Sequence, residues 1–189
     1  MNAVLLLALV FTTLLMMLIE RRGAAVTLRL TFKGDLKREG RWFAQYGQGA
    51  CAVVAALIMW RLDSRRIHGL GVYVPMLVAV FLAGLIAVAV KRLVGRVRPG
   101  RELAGRFLGP SLRHANFRES FPSSHTASAV AMTAMLAHLY PPAAAIFWVL
   151  AGICAALRYL MDAHWPSDVL AGFALGYGVA WATLAVIGA

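Results

Sequence analysis

Residues 121–130, FPSSHTASAV, and residues 162–172, DAHWPSDVLAG, each set a histidine beside a Pro-Ser phrase and run on into an apolar stretch. Read as helix starts at a bilayer surface, they place two imidazoles at the mouths of two membrane helices. The bulk composition supports that reading: 61% of the 189 residues are hydrophobic and the mean hydropathy is +0.73. An ordinary soluble domain is about 45 to 50% apolar.

Working outward, apolar runs fall at about 3–19, 44–60, 70–90, 124–139, 143–161 and 167–187. Each approaches the roughly 17 to 25 residues that cross a bilayer. The expected fold is all-α, a polytopic membrane helix bundle with about six transmembrane helices. No repeat or low-complexity linker divides the chain, so residues 1–189 are read as a single domain. The 44–60 run is interrupted by Gly47, Gln48 and Gly49, although Tyr46 and Trp60 stand where interfacial aromatics would. Residues 2–18 lack a basic leader and exceed the usual apolar length of a secretory signal, so they are expected to be a retained first span. Between the first two runs, Val26, Leu28, Leu30 and Phe32 alternate with polar residues, while Leu28, Phe32 and Leu36 fit one helical face. An isolated strand would leave its edges unpaired, so an interfacial amphipathic segment is expected.

Cys51 and Cys154 both lie inside apolar runs, which suggests neither a disulfide framework nor a thiolate metal site. The formal charge of +11 comes without an aromatic-basic recognition module. Nucleic acid is therefore not expected as a partner, and anionic lipid is. Seven of the nineteen Lys and Arg residues lie between Arg21 and Arg41, three between Arg61 and Arg66, eight between Lys91 and Arg118, and Arg158 stands apart. With six spans, sixteen share one face. Two explanations stay open: the positive-inside rule, which makes that face cytoplasmic, and a binding surface for a polyanion.

Three phrases carry the chemistry. In KRLVGRVRP, Lys91 and Arg98 are seven apart and Pro99 follows; either cation alone could simply snorkel to the headgroups. In FPSSH, Pro122 followed by Ser123 and Ser124 signals a helix start, where free N–H groups favour an anion. In RYLMDAHWPSD, His164 and Asp168 are four apart and Arg158 precedes them. No span separates the first phrase from the second, and two separate the second from the third. All three therefore emerge on one membrane face. Fixed cations, two imidazoles, a carboxylate and a helix N-terminus together suit phosphoryl transfer, whose transition state is stabilised by positioning and positive charge.

Residues 91–99, 122–125 and 158–168 resemble the three signature motifs of the type 2 phosphatidic acid phosphatase (PAP2) superfamily: K-x6-R-P, P-S-G-H and S-R-x5-H-x3-D. Order and spacing agree throughout. Ser124 stands where the family usually has Gly, and Leu157 where it often has Ser. The resemblance implies His164 as the nucleophile that becomes phosphohistidine, and Asp168 as the group that holds its other ring nitrogen. It implies His125 as the acid that protonates the leaving oxygen. Lys91, Arg98, Arg158 and Ser123, with Ser124 beside them, would bind the phosphate. No metal and no cofactor is implied.

The expected activity is a lipid phosphate or diphosphate phosphatase, with prenyl diphosphate, phosphatidate, phosphatidylglycerophosphate or a lipid A phosphate as substrate. A lipid phosphotransferase using the same phosphohistidine is an alternative, and a silent lipid-binding protein is a second. Arg92, Arg96, Arg101, Arg106, Arg113 and Arg118 fit either a headgroup with more than one phosphate or a solvated surface. The resemblance implies a multi-pass protein of the bacterial inner membrane, with its site on the periplasmic face. The physiological lipid and the oligomeric state are not readable from the sequence.

Overall fold

Asn2 opens the first helix by accepting a hydrogen bond from the Val4 amide at 2.8 Å, and an unbroken apolar run then carries α1 (Ala3–Arg21). The computed structural model describes residues 2–23, 34–62, 72–113 and 115–188. After α1 come α2 (Gly34–Ala44), a 3-10 turn (Gln45–Gly47), α3 (Gly49–Leu62) and α4 (Val74–Val94). Then follow a 3-10 turn (Asn116–Arg118), α5 (Ser124–Leu139), another such turn (Pro141–Ala143), α6 (Ala144–Leu160) and α7 (Pro166–Ile187). Among the described residues there is no strand, only one isolated antiparallel bridge between Arg96 and Phe107.

The fold is the expected all-α membrane bundle, with its spans built less uniformly than six apolar runs suggest. α1, α4, α7 and α6 with its leading turn are each long and apolar enough to cross a bilayer. The 44–60 run breaks where Gly47, Gln48 and Gly49 interrupt it, and the segments on either side meet at 69°. That bent pair is a fifth candidate span. Run 124–139 forms α5, whose 16 residues rise only about 24 Å, short of a hydrocarbon core of about 30 Å. Every residue of α5 from Thr126 to Leu136 is buried, with α4, α6 and α7 packed around it. The amphipathic segment expected between the first two runs is represented by α2. Val26, Leu28, Leu30 and Phe32 lie outside the described residues.

Small side chains explain the position of α5. Ala127, Ser128, Ala129, Ala131, Thr133 and Ala134 let neighbouring backbones approach closely, as membrane helices without a hydrophobic drive between them require. α7 answers with Gly172 and Gly176, one turn apart. A Cβ on Gly172 would stand 2.5 Å from the Ser123 carbonyl oxygen, and one on Gly176 would stand 2.2 Å from that of Ala127. The larger apolar side chains turn outward: Leu7, Phe11 and Leu14 of α1, Phe81 and Leu85 of α4, and Ile146 and Val149 of α6 are all exposed.

Candidate active site

Each motif is fastened by its own local chemistry before any of them meet. Pro122, joined to Phe121 by a cis peptide, leads into Ser123, which caps α5: its hydroxyl accepts from the Thr126 amide at 3.5 Å and from the Thr126 hydroxyl at 3.0 Å. The Ser123 amide donates to the Asp168 carbonyl at 2.9 Å, so the first turns of α5 and α7 are joined directly. The R-x5-H spacing closes on itself, because the Arg158 carbonyl accepts from the amides of both Ala163 and His164 at 3.2 Å. Pro166 then starts α7, and Asp168 Oδ2 accepts from the Trp165 amide at 2.8 Å. α4 ends at Gly95, in the left-handed region at φ 63°. A Cβ there would meet the Gly109 carbonyl oxygen at 2.4 Å, so only glycine suits both the turn and the close approach.

With these ends set, the expected residues converge. Lys91 Nζ donates to Ser124 Oγ at 2.9 Å. Arg98 donates to the carbonyls of Asn116 at 2.8 Å and of Ala163, next to His164, at 3.2 Å. Burial lowers the Arg98 guanidinium from its ordinary value, against the opposing charges of Asp168 and Glu119. His125 lies within electrostatic reach of Arg158, His164, Lys91 and Arg98. Its Nε2 is 3.4 Å from Gln48 Nε2, and a Cβ on Gly47 would fall 2.1 Å from its carbonyl oxygen. The break between α2 and α3 is thus what brings Gln48 to the site.

His164 is buried, and its two nitrogens are unequal. Nδ1 lies 2.7 Å from the carbonyl oxygen of Ser120, which can only accept, so Nδ1 carries the proton. Nε2 is left with the lone pair, fully buried and without a hydrogen-bond partner among the described residues. Burial pushes the imidazole down from 6.5 to about 4, with nearby Asp168 opposing the shift. In this state the ring is neutral.

Two residues differ from expectation in what they hold. Asp168 Oδ2 is 3.8 Å from His164 Nδ1, longer than a hydrogen bond. That oxygen is already taken by the Ser120 hydroxyl at 2.5 Å and the Trp165 amide. Ser120, which the sequence reading did not single out, thus orients the histidine through its carbonyl and the aspartate through its hydroxyl; only its place just before FPSSH could have drawn notice. Ser123 is fully buried in its capping role, while Ser124, in the position usually held by glycine, is the partner of Lys91.

The additional arginines divide. Arg92 binds the Leu112 carbonyl and pairs with Glu119, and Arg118 binds the Gly109 carbonyl; both secure the 95–119 loop. Arg96 is buried against Asp168 and Glu20 rather than offered to a headgroup. Arg101, Arg106 and Arg113 are exposed.

Two openings reach this cluster. A polar cavity of about 510 Å³ is lined by Arg41, Arg98, Arg101, Asn116 and Arg158. An apolar groove of about 390 Å³ runs between α3, α4 and α5, past Val80, Phe81 and Leu85 to Ser124 and His125. Among the described residues, no three His, Cys, Asp or Glu side chains gather as a metal-binding set would.

The chain is similar to two curated bacterial proteins. Lipid A 1-phosphatase of Rhizobium johnstonii is 31% identical over 164 residues, covering 79% of this chain and 66% of the relative. Lipid A 1-phosphatase of Rhizobium etli is 40% identical over 99 residues, covering 51% of this chain and 42% of the relative. The chain thus spans less than two thirds of the length of either. Among solved structures, LpxE of Aquifex aeolicus superposes with a TM-score of 0.64 at 21% identity, over 82% of this chain and 88% of that one. The transmembrane PAP2-type phosphatidylglycerolphosphate phosphatase of Bacillus subtilis gives 0.68 at 20% identity, over 97% and 96%. Both likenesses concern the fold. Residues 72–189, which contain all three motifs, match the PAP2 superfamily, and the chain belongs to that family.

Proposed function

We propose that this protein is a metal-independent lipid phosphate phosphatase working through a phosphohistidine on His164. The observation that carries the reading is the setting of that ring: Nδ1 lies against a carbonyl oxygen, and Nε2 is buried without a partner among the described residues. A neutral imidazole with a free lone pair beside three fixed cations is what attack on a phosphate requires.

In the first step Nε2 forms a bond to phosphorus as the bond to the lipid oxygen breaks, and His125 delivers a proton to that oxygen. Lys91, Arg98 and Arg158 offset the charge spread over the equatorial oxygens, arginine by paired contacts and lysine as a compact charge. The positive ring formed on His164 is stabilised by the carboxylate of Asp168 nearby. In the second step His125 takes a proton from water, whose oxygen displaces His164 from phosphorus and releases inorganic phosphate.

The two openings support a lipid substrate, with the polar cavity suited to the headgroup and the apolar groove to the chain that bears it. Lipid A 1-phosphate is the first substrate to try, because both curated relatives bear that name. We place the site on the periplasmic face, with exposed cations of the 95–119 loop facing anionic headgroups. Phosphate release from lipid A 1-phosphate, phosphatidylglycerophosphate, phosphatidate and prenyl diphosphate, with EDTA present, tests the whole reading. Wild type is expected to hydrolyse at least one of these at a rate the chelator does not change. His164→Ala is expected to lose essentially all activity. A chelator-sensitive rate, or an active alanine variant, would sink it.

A further inference from the structure

Against Asp168 lies a buried ion pair, Arg96 with Glu20, that no motif fixes. Arg96 is 3% exposed. Its Nη1 donates to Asp168 Oδ1 at 2.5 Å and to Ser167 Oγ at 2.6 Å, and its Nη2 donates to Glu20 Oε2 at 2.7 Å. Glu20, at the end of α1, also accepts from the Ser167 amide at 2.9 Å and hydroxyl at 2.5 Å. The guanidinium lies near two aromatic rings, 5.2 Å from the centroid of Phe107 and 5.3 Å from that of Trp165. Its backbone carbonyl accepts from the amide of Ser120, the residue whose own carbonyl orients His164.

We propose that Glu20 and Arg96 are positioning residues for the reaction, holding Asp168 as a carboxylate behind His164 and fixing the net charge there at minus one. This rests on the reading of His164 as nucleophile. Burying a carboxylate without a partner is costly, and Arg96 removes that cost for Asp168. Arg96 alone would cancel the charge of Asp168 and leave nothing to stabilise the positive ring of a phosphohistidine. Glu20 restores the deficit, so Asp168, Arg96 and Glu20 together present one negative charge. A bond from Glu20 to the first turn of α7 also makes α1 a structural contributor to the site. Among the described residues, Arg158 of α6, Lys91 of α4 and His125 of α5 also act on His164, and Arg98 of the loop after α4 acts on His125. The substitutions below leave all of them in place.

The test is the titration of His164, followed by NMR on histidine-labelled protein in detergent, its resonance assigned by loss in His164→Asn. Arg96→Gln leaves two negative charges behind the ring and is expected to raise its midpoint by at least about one pH unit. Glu20→Gln leaves none and is expected to lower it. The double variant restores minus one and is expected to return the midpoint close to wild type, and Arg96→Lys to keep it there. A merely structural role predicts the double variant to be as disturbed as either single one. The proposal is overturned if both single variants shift the midpoint the same way, if neither shifts it, or if the double variant is no nearer wild type. Should Arg96→Gln fail to fold, Glu20→Gln and the double variant still decide. Phosphate release is measured on the same samples. A silent wild type would overturn the proposed function while the titrations still judged the charge cluster, and failed titrations in an active enzyme would overturn the cluster alone.

Discussion

The proton on His164 Nδ1 has a measurable consequence. Ordinary imidazole titrates near 6.5, whereas burial holds His164 at about 4. A nucleophile must be neutral, so its contribution to rate survives as pH falls through 6.5 and is lost only as pH approaches the lowered value. The acid limb of kcat/KM, which reports the free enzyme, is expected well below the ordinary imidazole value; a limb at about 6.5 would contradict the buried, neutral ring. At this scale much of the proposed site was legible, because Lys91, Arg98, His125, Arg158, His164 and Asp168 stand in motifs that resemble the family's, and the structure brings those motifs together. Ser120 and Glu20 were not. A serine acting through its carbonyl leaves no mark in the sequence, and a single glutamate at the end of an apolar run reads as a boundary.

Between elements, the contact of α5 with α7 does most to place the chemistry. Gly176 leaves no room for a side chain against the Ala127 carbonyl, and Val130 Cβ also lies 3.0 Å from where a Cβ would be. Gly176→Ala is expected to cost about 1 to 3 kcal/mol through forced separation of the two helices. A lowered thermal midpoint in detergent is the readout. Gly152→Ala is the control: nothing lies within 4 Å of the added methyl, and alanine favours helix, so the midpoint should hold or rise slightly. The helices themselves were readable from apolar runs, but run length could not distinguish a lipid-facing span from α5. Its small residues are equally apolar, and only the packing of three neighbours shows that it is enclosed. The bend near Gly47 was similarly visible only as an interruption; its reason is the approach of that turn to the His125 carbonyl.

For the whole molecule, charge counting and the family resemblance pointed to opposite orientations. The structure explains part of the conflict, since Arg92, Arg96, Arg98 and Arg118 are committed to loop carbonyls or carboxylates and so are weak markers of the cytoplasmic side. An Arg113→Cys variant in a background lacking Cys51 and Cys154 places one thiol on the exposed loop. With the site on the outer face, a membrane-impermeant maleimide is expected to label it in intact cells, once any outer membrane has been made permeable. Labelling that appears only after the inner membrane is broken would reverse the assignment.

The amide of Ser123 bonded to the carbonyl of Asp168 ties α5 and α7 at their very tips, beside the two proposed catalytic histidines. Much of the proposed reaction geometry is therefore held by joined helix starts, while Arg101, Arg106 and Arg113 stand exposed on the loop that also carries Arg98. Those three exposed side chains can be exchanged for a new lipid without moving the buried tie, so relatives acting on different headgroups should diverge at these positions first.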